Sequence, residues 1–113
     1  MTSMHRRTSA DPLRPDERPV VILDRETAEQ VARTLRAVSD PTRLQILSMV
    51  LGSAAGRVTV GEIARQLGLR QPTVTHHLKI MAEHGVLERE PEGRIVWHRI
   101  HPDRYDEIVD LLR

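Results

Sequence analysis

The chain has 113 residues, with 17 Lys and Arg against 16 Asp and Glu, so its formal net charge of +1 announces no polyanionic partner. Any such partner must be read from where the charges sit. The length suits one domain with a modest core. The absence of cysteine excludes disulfides, thiolate metal sites, cysteine nucleophiles and thiol redox sensing.

The N-terminus carries His5, Arg6 and Arg7 with no apolar run after them, and no segment approaches the length that spans a bilayer. A cytoplasmic protein is expected. Residues 1–19 place Pro12, Pro15 and Pro19 among Arg, Asp and Ser and read as a disordered arm ahead of a single domain over 20–113. From about Arg25, the recurrence of Ala28, Val31, Ala32, Leu35 and Val38 predicts a first amphipathic helix that ends near Ser39. Asp40-Pro41 then supplies an N-cap acceptor followed by a residue whose missing N–H costs nothing at a helix start. Leu44, Leu47 and Leu51 form the stripe of this second helix, which stops at Gly52.

After a small-residue loop from Ser53 to Gly56, Thr59 and Glu62 make a capping-box pattern ahead of Ile63, Ala64 and Leu67, and Gly68 closes this short third helix. Only Leu69 and Arg70 intervene before a fourth, whose Val74, Leu78, Met81 and Ala82 share one face. At about 100° per residue the opposite face presents Pro72, Thr75, His76, Lys79, Ile80 and Glu83, with Thr73 at its edge. Two helices around a tight glycine-containing turn predict a helix-turn-helix, with the second helix as the reader. Val86 to Glu90 and Arg94 to Ile100, around Pro91-Glu92-Gly93, predict a two-stranded hairpin, and Pro102 opens a last helix with Tyr105, Ile108, Val109 and Leu112 on one stripe.

The most informative local feature is an acid-free stretch from Ile63 to Ala82, which leaves Arg65, Arg70 and Lys79 unopposed. A phosphate backbone suits such a surface, because each neutralised phosphate releases counterions. Double-stranded DNA fits better than RNA: Trp97 and Tyr105 are the only aromatics besides histidine, too few for a base-stacking platform.

Ala37-Val38-Ser39-Asp40-Pro41-Thr42-Arg43-Leu44-Gln45-Ile46-Leu47, Gln71-Pro72-Thr73-Val74-Thr75-His76-His77-Leu78-Lys79, Gly85-Val86-Leu87-Glu88 and Gly93-Arg94 together resemble the ArsR/SmtB family of winged-helix repressors. The resemblance runs from about Thr27 to the end. It implies a mainly α (α+β) winged helix-turn-helix with a two-stranded wing, whose terminal helices form the interface of a homodimer. Such a dimer binds an inverted-repeat operator and represses transcription until an effector intervenes. Two terminal helices with apolar stripes that a small core does not wholly cover agree with a symmetric pairing. By the same resemblance Gln71, Thr73, Thr75, His76 and His77 lie at the major groove and Arg94 at the minor groove or its phosphates. Where the arsenic and cadmium sensors of the family hold a Cys-x-Cys pair, this chain has Thr59 and Gly61. Where the zinc sensors carry Asp and His in the last helix, it has Pro102 and Arg104. Arg70 stands where the family commonly has Ser, which gives up an N-cap oxygen and adds a cation beside the DNA.

Blander readings stand beside these. His76 and His77 point about 100° apart on a helix and do not grip one metal ion comfortably. Lys79, Arg70 and Arg94 are residue types that serve solubility on any surface, and Trp97 suits a core or an interface. His98 and His101, with Asp103, Asp106 and Glu107 nearby, are the only cluster of divalent-metal ligand types, although a strand puts the two histidines on opposite faces. The alternatives to a repressor are therefore a metal-responsive switch built on His98, His101 and Asp103, or a winged-helix protein adaptor. An enzyme is disfavoured, since no glycine-rich phosphate loop or strained nucleophile turn is present.

Overall fold

The computed structural model describes residues 21–112 together with Pro12, Arg14, Asp16 and Glu17. The expected arm over residues 1–19 therefore lies almost wholly outside the described residues. Five helices, α1 (Arg25–Val38), α2 (Pro41–Gly52), α3 (Val60–Leu67), α4 (Gln71–Glu83) and α5 (Tyr105–Leu111), surround a small antiparallel sheet of β1 (Arg57–Val58), β2 (Leu87–Glu92) and β3 (Ile95–Ile100).

Local chemistry sets most helix boundaries. Asp24 caps α1 by accepting from the Thr27 N–H at 2.8 Å and from the Thr27 hydroxyl at 2.8 Å, and Asp40 caps α2 by accepting from the Arg43 N–H at 3.0 Å. At α3 the Thr59 hydroxyl oxygen accepts from the Glu62 N–H at 3.2 Å, and Gly68 ends the helix with φ of 66°, where a side chain would be strained. Arg70 occupies the N-cap of α4 and makes no side-chain cap hydrogen bond. The last helix is preceded by a 3-10 turn, Pro102–Arg104, so α5 proper begins three residues later than the proline suggests.

The core draws Ile46, Leu47 and Val50 from α2, Ile63 from α3, Val74, Leu78 and Met81 from α4, Val86 and Leu87 at the wing's start, and Ile108 from α5. The stripes expected on α1 and α2 are rotated relative to this core. Thr34 and Ala37 are fully buried while Leu35 and Leu44 are 45% and 37% exposed. Thr34 fits inside because its hydroxyl donates to the Gln30 carbonyl and accepts from the Arg104 guanidinium, which also donates to Glu107 at 3.0 Å. Leu35, Leu44, Tyr105 and Leu111 are left as exposed apolar surface on α1, α2 and α5.

The sheet has the order β1-β3-β2. β1 adds a third strand to the expected two-stranded wing, pairing Arg57 with Arg99 and Val58 with His98. β2 and β3 pair from Leu87↔Ile100 to Glu92↔Ile95, so Pro91 and Glu92, expected in the turn, are strand residues and the loop is Gly93-Arg94 alone. β2 is an edge strand, where proline's missing donor leaves the ladder intact. Gly93, at φ of 63°, supplies the positive φ that a two-residue hairpin loop requires.

Candidate nucleic-acid interface

α4 presents two chemically distinct sides. Val74, Leu78 and Met81 are buried, and Gln71, Pro72, Thr73, Thr75, His76 and Lys79 are all exposed. Arg65 in the last turn of α3 and Arg70 at the start of α4 are exposed on the same helix-turn-helix unit. Arg65, Arg70 and Lys79 make no ion pair among the described residues. The helix thus offers short polar side chains able to read base edges, flanked by cations free to meet phosphates.

His77 departs from this set. Its ring is half-buried with Nδ1 3.8 Å from Asp40 Oδ2, so it bridges α4 to the cap of α2 instead of facing outward. The Asp40 carboxyl is held below its ordinary range, first by the Arg43 backbone N–H and then by the charges of His77 and Arg43. At 3.8 Å no hydrogen bond forms and the His77 Nδ1 has no hydrogen-bond partner among the described residues, so packing sets the ring against the start of α2, which adjacency to His76 concealed in the sequence.

The wing separates its charges by alternation along the strands. On the outer face Arg57 donates to Glu90 at 2.6 Å and Glu92 at 2.9 Å, and Arg99 Nε donates to Glu88 at 2.7 Å and lies 3.3 Å from Glu90. The Arg57 guanidinium also stacks 4.2 Å from the centre of the Trp97 ring, which places that half-buried indole on the outer face of the sheet. The three wing carboxylates are thereby neutralised on the side away from α4. Arg89 and Arg94 remain exposed without an ion pair among the described residues, Arg94 at the tip of the hairpin.

Of the residues considered for a metal, only His101 and Asp103 approach each other, Nδ1 lying 3.9 Å from Oδ2. His98 is 6% exposed on the inner face of the sheet, where burial and then the neighbouring charge of Arg89 push its pKa below the ordinary histidine value. His101 Nδ1 accepts from the Asp103 N–H at 3.2 Å and so caps the 3-10 turn, with Nε2 3.8 Å from Glu88. Among the described residues no three histidine or carboxylate side chains gather in a metal-holding group. The functional detail that sequence reasoning missed is the Arg57, Arg99 and Glu88–Glu92 lattice, whose one signal was a Glu-x-Glu-x-Glu alternation along β2.

Comparison with known proteins agrees with this geometry. A helix-turn-helix domain family matches residues 38–90. An HTH-type transcriptional regulator of Methanocaldococcus jannaschii is 36% identical over 87 residues, covering 77% of this chain and 96% of its own. The transcriptional repressor SdpR of Bacillus subtilis is 32% identical, covering 68% of this chain and 82% of its own. Among solved structures, the homodimeric winged helix-turn-helix DNA-binding domain from Mycobacterium bovis superposes with a TM-score of 0.63 at 29% identity, covering 83% of each chain. The helix-turn-helix, the three-stranded winged sheet and these relatives together show that the chain belongs to the ArsR/SmtB family of winged-helix transcriptional regulators.

Proposed function

We propose that this protein is a cytoplasmic, homodimeric repressor that lays α4 of each subunit into successive major grooves of an inverted-repeat operator. The observation that carries the reading is the division of α4: Val74, Leu78 and Met81 hold it to the core while Gln71, Thr73, Thr75, His76 and Lys79 are all directed outward. Gln71 and His76 read base edges by hydrogen bonding, and the Thr73 and Thr75 methyls meet thymine methyls. Arg65, Arg70 and Lys79 anchor phosphates, and Arg94 reaches the minor groove or its backbone from the wing. Dimerisation covers exposed apolar side chains on α1, α2 and α5, Leu35, Leu44, Tyr105 and Leu111, that water would otherwise bathe.

Repression needs no chemistry at the site, only occupancy of the operator, so the protein binds without turning over a substrate. Selection of bound fragments from genomic DNA tests this directly. A repressor enriches a discrete inverted repeat, and anisotropy on that fragment then shows affinity falling steeply with salt. A protein adaptor enriches nothing, and that result would refute the proposal.

A further inference from the structure

Between the C-terminal half of α4 and the inner face of the wing lies a groove of about 670 Å³. Leu78, Ala82 and Val96 make its apolar floor, and Lys79 and Arg89 line it with positive charge. Neither cation has an ion pair among the described residues. His98, also in the lining, is 6% exposed, and its side chain makes no hydrogen bond among the described residues.

The ring nitrogens are not sealed from solvent, so an imidazole with no hydrogen bond of its own stays open to a ligand in the groove. Burial keeps this ring neutral near neutral pH, so it offers one donor and one acceptor toward the groove. A volume of this size, mostly apolar with a few convergent polar groups, is the usual description of a small-molecule site.

We infer that the groove is an effector site for a small organic monocarboxylate with an aliphatic or aromatic body. The carboxylate is held by Arg89 and Lys79, the body rests on Leu78, Ala82 and Val96, and His98 hydrogen-bonds the ligand. Glu83, one turn beyond Lys79 and also in the lining, repels a second anionic group and disfavours dicarboxylates. The regulatory consequence rests on the repressor reading: a carboxylate between α4 and the wing takes Lys79 away from phosphate and adds negative charge where the duplex docks. Operator affinity falls.

The test is a titration of the full-length, isotope-labelled protein with sodium octanoate and sodium benzoate, followed by amide chemical shifts, with octan-1-ol as the neutral control. Saturable shifts centred on Ala82, Val96 and His98 are expected for the carboxylates. Arg89→Gln, at an exposed position that leaves the melting curve in place, should weaken them by roughly tenfold. No saturable shift, shifts centred on another surface, or equal binding of octan-1-ol would overturn the site. In a second arm, saturating octanoate should lower operator affinity by about tenfold, within the usual range of coupling between two sites, and should do so less for Arg89→Gln. Octanoate bound in the groove with operator affinity unchanged would overturn the regulation. Octanoate bound there by a protein that holds no DNA would support the site while refuting the repressor reading on which the regulation rests.

Discussion

Both faces of the wing carry arginine, with opposite consequences. On the outer face Arg57 and Arg99 are locked to Glu88, Glu90 and Glu92, and Arg57 covers Trp97. On the inner face and at the tip, Arg89 and Arg94 have no such partners among the described residues. A cation already bound to two carboxylates has little left to offer a phosphate, whereas a free one exchanges only its water and counterions. The chain is nearly neutral, yet alternation along two strands sorts it into a self-satisfied side and a side open to a polyanion.

The largest effect that would sharpen this contrast is expected on α4. His76→Glu puts a negative charge on an acid-free face and should lower operator affinity by about a hundredfold, with far-UV circular dichroism unchanged. An affinity within threefold of the parent protein would break the comparison at its strongest point. Next, Arg94→Ala should cost roughly tenfold in affinity and reduce the slope of log affinity against log salt by about one, since the proposed phosphate contact would disappear.

Arg57→Ala should do the reverse. Its loss leaves Glu90 and Glu92 less compensated and uncovers Trp97, so denaturant unfolding is expected to show about 1 kcal/mol less stability. Operator affinity should change by less than twofold, because the proposed complex keeps the outer face away from the duplex. A drop comparable with that of Arg94→Ala would mean that the two faces have been assigned the wrong way round.

The smallest expected effect concerns pH. His98 has its folded pKa lowered from 6.5 by burial and by Arg89, so as pH falls the unfolded chain takes up this proton first. Unfolding stability should therefore decline as pH drops below about 6.5 and level off once the folded form is protonated as well. His98→Gln should remove that component of the slope between pH 7 and 5, read from urea midpoints at each pH. Identical slopes in the two proteins would show that the ring is not held neutral inside the groove.

How much of this was legible from residues alone follows from the range of each interaction. Asp40-Pro41, Thr59 with Glu62, and Gly68 mark helix ends because their hydrogen bonds and backbone preferences act within a few residues. The outward set on α4 was legible for the same reason, since helical spacing fixes which side chains share a side. β1 was not, because two residues acquire strand character only by pairing Arg57 with Arg99 and Val58 with His98, about forty positions away. Leu35, expected in the α1 stripe, lies outside while Thr34 is buried, its hydroxyl satisfied by Arg104 from the far end of the chain. His77 looked like a twin of His76 until tertiary packing set it against Asp40. His98 likewise gained its meaning from the helix packed over the wing, not from His101 three residues on.

The most direct measurement is amide and side-chain chemical-shift mapping of the labelled protein on its selected operator duplex. The account predicts that Gln71, Thr73, Thr75, His76, Lys79 and Arg94 shift strongly, while Arg57, Arg99 and Trp97 on the outer face stay where they are. Strong shifts on the outer face with α4 unmoved would contradict it.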